Sequence, residues 1–315
     1  TPDPVPSGAS GPSLNALRGM SREQVWLRYC SFLDLSQQEF LEVQEQLLLE
    51  QLHLVRSSPL GRHLLRGTAP RSVAEFRSSI PLTTYGDYLP LLGSLDDSVL
   101  GVKPAEWAHT TGAQADFKWV PYTPRGLERL LDNIMASLIL SAASRPGDVR
   151  IWPGSTILYN TPERPYLSGL ATFGMRERFG FRTVLDPELS ERLDFKERVR
   201  RGFEAALGKR VDGIISMTSV LVKVGEGFAE HAGRTRLGPS LLRPRVLYRL
   251  GKAFLKSKIR GGQVMPKDLW PVKAIVGWGI DTPYFREKVR YFWGKLPYEV
   301  YACTEGGVMG MQTWR

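Results

Sequence analysis

The sequence is short of the residues that build disulfide frameworks and metal clusters. Its two cysteines, Cys30 and Cys303, are too few to staple a chain of 315 residues and fit a reducing compartment. Four scattered histidines, His53, His63, His109 and His231, fall at no zinc-ligand spacing. There is no run of about 18 apolar residues, which argues against a transmembrane helix, and the N-terminus lacks the basic-then-apolar order of a secretory signal. The expectation is a cytoplasmic protein with no membrane partner. Phosphate-loop glycines are missing too. Neither G-x-x-x-x-G-K-[ST] nor a strand-borne G-x-G-x-x-G occurs, and Gly225-Glu226-Gly227 lacks the third glycine. With no G-x-S-x-G elbow, a Ser-His-Asp hydrolase has nothing to stand on.

What is present describes a globular chain: 42% of residues are hydrophobic and 23% charged, enough apolar mass for a real core. The formal net charge of +10 suits anionic partners. Most of that excess falls in residues 232–263, which contain no Asp or Glu. Few aromatics interleave with these cations, so the stacking platforms of single-strand nucleic-acid binding are lacking, and nucleic acid is not expected as a partner. The stretch reads either as a solvated helix face or as a dock for an acidic partner protein.

Residues 1–19 are rich in proline, glycine and serine, a composition that cannot offset the entropy of ordering. They read as a disordered leader, with a folded domain over 20–315. Ser21-Arg22-Glu23-Gln24 and Ser36-Gln37-Gln38-Glu39 have capping-box spacing and predict two helices. The second carries Phe40, Val43, Leu47 and Leu54, apolar enough for a packed helix. Phe76 to Leu92 reads as short helices and turns. Thr123-Pro124 opens a core-facing helix through Leu127, Leu130, Leu131, Ile134, Met135, Leu138 and Ile139. Beyond it, β-rich runs at 155–159, 211–217, 272–278 and 298–302 alternate with amphipathic stretches such as Leu193 to Leu207, a pattern of α/β folds with a largely parallel sheet.

Two short segments could carry chemistry. His109-Thr110-Thr111-Gly112-Ala113-Gln114-Ala115 is a loop of hydroxyls and glycine able to wrap phosphate oxygens. Tyr301-Ala302-Cys303-Thr304-Glu305-Gly306-Gly307 sets a carboxylate and a hydroxyl at the end of a strand-like run, where open α/β sheets hold ligands. Such a carboxylate can share Mg²⁺ with phosphate oxygens.

In this order the two segments resemble motifs of the adenylate-forming superfamily of acyl-CoA synthetases, adenylation domains and luciferases. The match is nearest to Gretchen Hagen-type acyl acid amido synthetases and phenylacetate-CoA-ligase-like proteins. Thr110-Thr111-Gly112 through Tyr122-Thr123 keeps the frame of that superfamily's hydroxyl-rich loop, and Tyr301, Thr304, Glu305 and Gly306 match its later Tyr-Gly-x-Ser/Thr-Glu-Gly motif. Gly277-Trp278-Gly279 resembles the strand end lining the adenine pocket, with Thr282-Pro283 capping the next helix. Ser58-Pro59-Leu60-Gly61 and Ile80 to Tyr88 are similar to the opening segment of the amido synthetases.

The resemblance implies the superfamily's large N-terminal domain, of mixed, largely parallel sheets flanked by helices. Its small C-terminal domain is expected to be absent, since ten residues follow Glu305. The implied activity is ATP- and Mg²⁺-dependent activation of a carboxylic acid, then transfer to an amine or a thiol acceptor. Glu305 would hold the metal and Thr110, Thr111 and Gly112 the phosphates. Thr304 would donate to phosphate or acyl-adenylate. Gly277, Trp278, Gly279, Tyr301 and Gly306 would flank the nucleotide, and Tyr159, Tyr166 and Phe173 are candidates for the acyl pocket by position. Ala113-Gln114-Ala115 stands where the family has further hydroxyls and a glycine, which leaves Lys118 to compensate. A degenerate ligand-binding or scaffold domain of the same fold is the alternative.

Overall fold

The computed structural model describes residues 16–110, 117–231 and 243–314. Five helices come first: α1 (Arg22–Cys30), α2 (Gln37–Val55), α3 (Pro59–Leu64), α4 (Val73–Ser79) and α5 (Tyr85–Leu92). A separate antiparallel hairpin, β1 (Glu106–His109) and β2 (Trp119–Tyr122), leads into α6 (Pro124–Ala142). Next are β3 (Thr156–Asn160), α7 (Leu167–Phe179), β4 (Arg182–Thr183), α8 (Pro187–Glu191), α9 (Phe195–Leu207), β5 (Gly213–Met217) and α10 (Thr218–His231). The described chain closes with α11 (Pro244–Arg260), α12 (Pro266–Leu269), β6 (Ala274–Trp278), α13 (Thr282–Trp293), β7 (Tyr298–Cys303) and β8 (Gly307–Met311).

The main sheet has the order β4-β3-β5-β6-β7-β8, parallel except for the final antiparallel pair. Successive strand side chains point to opposite faces, and the strand residues divide accordingly. Ile157, Ile215, Ala274 and Val276 face α1, α6 and α7 in one core, whereas Leu158, Ile214 and Ile275 face α9, α10, α12 and α13 in a second. From β3 the chain goes outward through α7 to β4, then returns to build β5, β6 and β7 on the other side. Helices on opposite faces keep both sets of parallel crossovers right-handed. The reversal opens a crevice at the C-terminal ends of β3 and β5, the place where open α/β sheets bind ligands.

Local signals account for several boundaries. Both predicted capping boxes form: the Gln24 amide donates to Ser21 Oγ at 3.1 Å and the Glu39 amide to Ser36 Oγ at 3.2 Å. Thr123 Oγ1 accepts from the Gly126 amide at 3.0 Å with Pro124 in the first turn, and α6 buries ten residues, among them Met135, Leu138 and Ile139.

Three expectations need correction. Leu17, assigned by composition to the leader, is buried in the first core, and the Ala16 amide donates to the Arg178 carbonyl at 2.7 Å, so the packed chain begins before Met20. A leucine with a pocket to fill outweighs its polar surroundings; residues 1–15 lie outside the described residues. The second helix is not a core helix. Of α2 only Leu52 is buried, while Phe40, Leu41 and Val43 are exposed. Its link to α6 is ionic, through Glu50 to Arg125 and Arg129, both at 3.0 Å. Finally, α13 has Asp281, not Thr282, at its N-cap position. The buried Thr282 hydroxyl donates to the Gly279 carbonyl at 2.8 Å and lies 2.9 Å from Thr218 Oγ1, so it joins α13 to the strand end and to α10.

Candidate active site

A cavity of about 900 Å³ lies over the C-terminal ends of the parallel strands. Tyr159 reaches it from β3 and Thr161 from just past that strand, Ile215 and Met217 from β5, Val276 and Trp278 from β6, and Val300, Ala302 and Cys303 from β7. Its outer wall is apolar: Leu130 and Ile134 of α6, and Leu167, Ala171 and Met175 of α7. Charge is confined to one end, where Lys118 and Glu305 are the lining Lys or Arg and the lining carboxylate among the described residues.

Two hairpins set that charged end. In the first, the Thr110 amide donates to the Lys118 carbonyl at 3.1 Å and the Lys118 amide to Thr110 Oγ1 at 3.3 Å, which extends the β1–β2 pairing to the edge of the predicted phosphate loop. Thr111 and Gly112, with Ala113, Gln114 and Ala115, lie outside the described residues. The Tyr85 hydroxyl of α5 accepts from the Trp119 amide at 2.8 Å and donates to the Trp119 carbonyl at 3.3 Å, which fixes the strand next to Lys118. His109 stacks edge-on against Tyr166 with ring centres 4.3 Å apart, and its amide donates to the Pro165 carbonyl at 3.2 Å, holding the hairpin to the β3–α7 loop.

In the second hairpin, Thr304, Glu305 and Gly306 form the turn between β7 and β8. The Gly306 amide points at Cys303 Sγ, 3.2 Å away. From 182 positions away in the chain, the Tyr122 hydroxyl donates to the Thr304 carbonyl at 2.7 Å and ties the two hairpins together. Burial drives this phenol well above its ordinary pKa, with Cys303 and Glu305 adding to the shift, so it stays protonated and keeps its donor role. Lys118 Nζ then lies 3.3 Å from Glu305 Oε1. Both side chains are about half exposed (46% and 45%), and such pairs contribute less than about 1 kcal/mol, so a competing phosphate or cation can separate them at small cost.

Glycines admit the remaining wall. A Cβ on Gly277 would come within 2.9 Å of the buried Thr218 hydroxyl, and Gly279 has φ +129°, a conformation that L side chains avoid. β6 can thereby turn at its end and present Trp278 to the cavity. Tyr159 lines the same cavity, and its buried hydroxyl has no partner among the described residues. Desolvation raises its pKa, so it too stays protonated. A buried hydroxyl without a partner marks a place where a ligand or water completes the bonding.

The structure therefore brings Thr110, Lys118, Tyr159, Tyr166, Trp278, Thr304 and Glu305 to one cavity. Gly277, Gly279 and Gly306 shape its edges without lining it. Tyr301 is exposed between Val300 and Ala302 and does not line it. Phe173 borders the neighbouring cleft of Pro162, Glu163 and Arg198, with the Arg164 guanidinium 4.4 Å above its ring. No cluster of three metal-ligating side chains occurs among the described residues. Glu305 alone fits a cation that takes most of its oxygens from a bound phosphate and water, as Mg²⁺ does. Tyr85, Tyr122 and His109 fall inside the matched segments, but their positioning roles are not visible in the sequence, because Tyr85 and Tyr122 act on partners 34 and 182 positions away.

Helices on both faces of a largely parallel sheet, with a cavity over its strand ends bordered by the 304–306 turn, make a fold that this chain shares with parts of solved ligase structures. No family model matches the chain, and no curated protein does. Among solved structures it is similar to 2-hydroxyisobutyryl-CoA ligase in complex with 2-HIB-AMP and CoA, at a TM-score of 0.55 and 12% identity over 93% of this chain and 57% of that one. It is also similar to the GH3.15 acyl acid amido synthetase, at a TM-score of 0.51 and 15% identity over 84% and 52%. The chain thus spans little more than half the length of these structures.

Proposed function

We propose that the protein to which this chain belongs activates a carboxylic acid as its acyl-adenylate and passes the acyl group to an amine or a thiol. The observation that carries this reading is the pairing of an apolar cavity with a charged end built by Thr110, Lys118, Thr304 and Glu305. In the reaction a carboxylate oxygen bonds to the α-phosphorus of ATP while the bond to the bridging oxygen breaks, and pyrophosphate leaves with that electron pair. Two anions must meet, so fixed donors have to offset their repulsion before the displacement.

Lys118, released from Glu305, offers its ammonium to the phosphates. The Thr110 and Thr304 hydroxyls supply neutral donors, and Thr111 and Gly112, which match the same motif as Thr110, would add to them. Mg²⁺, with Glu305 as its protein ligand, would screen phosphate charge. Trp278 and the Gly277–Gly279 turn take the adenine side, with Tyr301 at the outer edge, and the acyl tail lies between α6 and α7 with Tyr159 and Tyr166 at its head. Attack of the amine or thiol on the acyl carbon then expels AMP.

ATP–pyrophosphate exchange across a panel of aromatic, fatty and amino acids tests this reading on the full-length protein. Acid-dependent exchange that needs Mg²⁺ is expected. Nucleotide binding without exchange for any acid would leave a ligand-binding domain in place of an enzyme.

A further inference from the structure

α11 is anchored along one narrow stripe. Val246, Ala253 and Ser257 are buried, and Leu250 packs on the second core, a spacing that keeps all four on one side of the helix. The opposite side is apolar as well. Tyr248, Leu255 and Ile259 are 72%, 62% and 81% exposed, and Leu247 and Phe254 flank them, also exposed. A solvated basic face explains lysines and arginines, but it does not explain aromatic and aliphatic residues at its outermost line.

The cations divide by what they touch. Arg260 is held by Asp268 at 2.7 Å, and Arg249 donates to the Leu207 carbonyl at 3.3 Å. Arg245, Lys252, Lys256 and Lys258 have no carboxylate partner among the described residues. At 100° per residue Arg245, Lys252 and Lys256 border the exposed apolar line on one side, with Lys258 toward the other. Lys258 Nζ lies 5.4 Å from the centre of the Phe254 ring, and long stems let such side chains cover apolar surface while the charged head stays at the polar side. No acid falls between positions 232 and 263 to oppose an anionic surface.

We propose that α11 is a membrane-surface helix that lies in the headgroup region of an anionic bilayer. Tyr248, Leu255 and Ile259 face the acyl chains, and Arg245, Lys252, Lys256 and Lys258 meet anionic headgroups. A convex apolar ridge with cations beside it needs no shaped groove in its partner, only a fluid negative surface, which favours lipid over an acidic protein. No helix among the described residues is long and apolar enough to cross a membrane, and a helix lying in the interface needs no such run.

Cosedimentation of the full-length protein with phosphatidylcholine vesicles, with and without about 30 mol % phosphatidylserine, tests this. Partition onto the anionic vesicles is expected, weakening as salt is raised. Tyr248→Asp with Ile259→Asp should reduce it about tenfold or more by removing apolar insertion. Lys252→Glu with Lys256→Glu should do so independently by reversing charge. Leu82→Asp, at another fully exposed apolar position, should leave it unchanged. Absence of partition at low salt overturns the proposal, as does equal binding to neutral vesicles or binding that survives both double variants. Salt-dependent capture of an acidic protein through the same residues, with no vesicle binding, also overturns it.

Discussion

α2 and α6 have the same length, 19 residues, and each begins with a hydroxyl cap and carries a repeating apolar stripe, yet only α6 is a core helix. α6 buries ten residues between the sheet and α1; α2 buries Leu52 alone and is held to α6 through Glu50. Periodicity thus reports that a helix has an apolar face. Whether that face is covered depends on what the topology places against it, and a sheet face offers far more surface than the short helices α3 and α4.

Substitutions along the two helices can break or sharpen this contrast. Ile139→Ala, at a fully buried α6 position, should cost about 2–5 kcal/mol in urea denaturation through lost burial and the cavity left behind. Thr123→Ala should cost about 1 kcal/mol, because the Gly126 amide loses its cap at the start of a helix whose buried face begins at Leu130. Glu50→Gln should cost about 0.2–1 kcal/mol at low ionic strength, with the difference from wild type shrinking toward 1 M salt as the pairs with Arg125 and Arg129 are screened. Phe40→Ala on the exposed side of α2 should stay within about 0.5 kcal/mol. A Phe40 variant as costly as the Ile139 one would mean that the two helices are packed alike.

The same distinction explains what could be read in advance. Three β-rich runs became β3, β5 and β6 because buried parallel strands are written as largely apolar text, the fourth became the half-exposed β7, and the caps of α1, α2 and α6 are local hydrogen bonds between residues three apart. Strands β1 and β2 are not legible in the sequence, because four residues carry almost no period and β2 has Pro121 inside it. β4, two residues long, carries none at all. At the site, motif order points to Glu305 and Thr304 and the missing hydroxyls at 113–115 point to Lys118, and all three line the cavity. Their geometry is not legible in the sequence, since it rests on Tyr122 reaching Thr304 and Tyr85 reaching Trp119, contacts between positions far apart in the chain. Phe173, chosen by position, and Tyr301, chosen by its motif, both sit next to residues that line the cavity without lining it themselves.

The central claim is that the strand-end cavity binds a nucleotide through its charged end, and calorimetry of ATP and AMP with and without Mg²⁺ tests it most directly. Wild-type protein should bind ATP more tightly with Mg²⁺ than without. In Glu305→Ala that metal-dependent gain should vanish, a loss of about 1.5–3 kcal/mol for a charge-assisted contact. No adenine-nucleotide binding at millimolar concentration, or an undiminished Mg²⁺ effect in Glu305→Ala, would contradict the assignment.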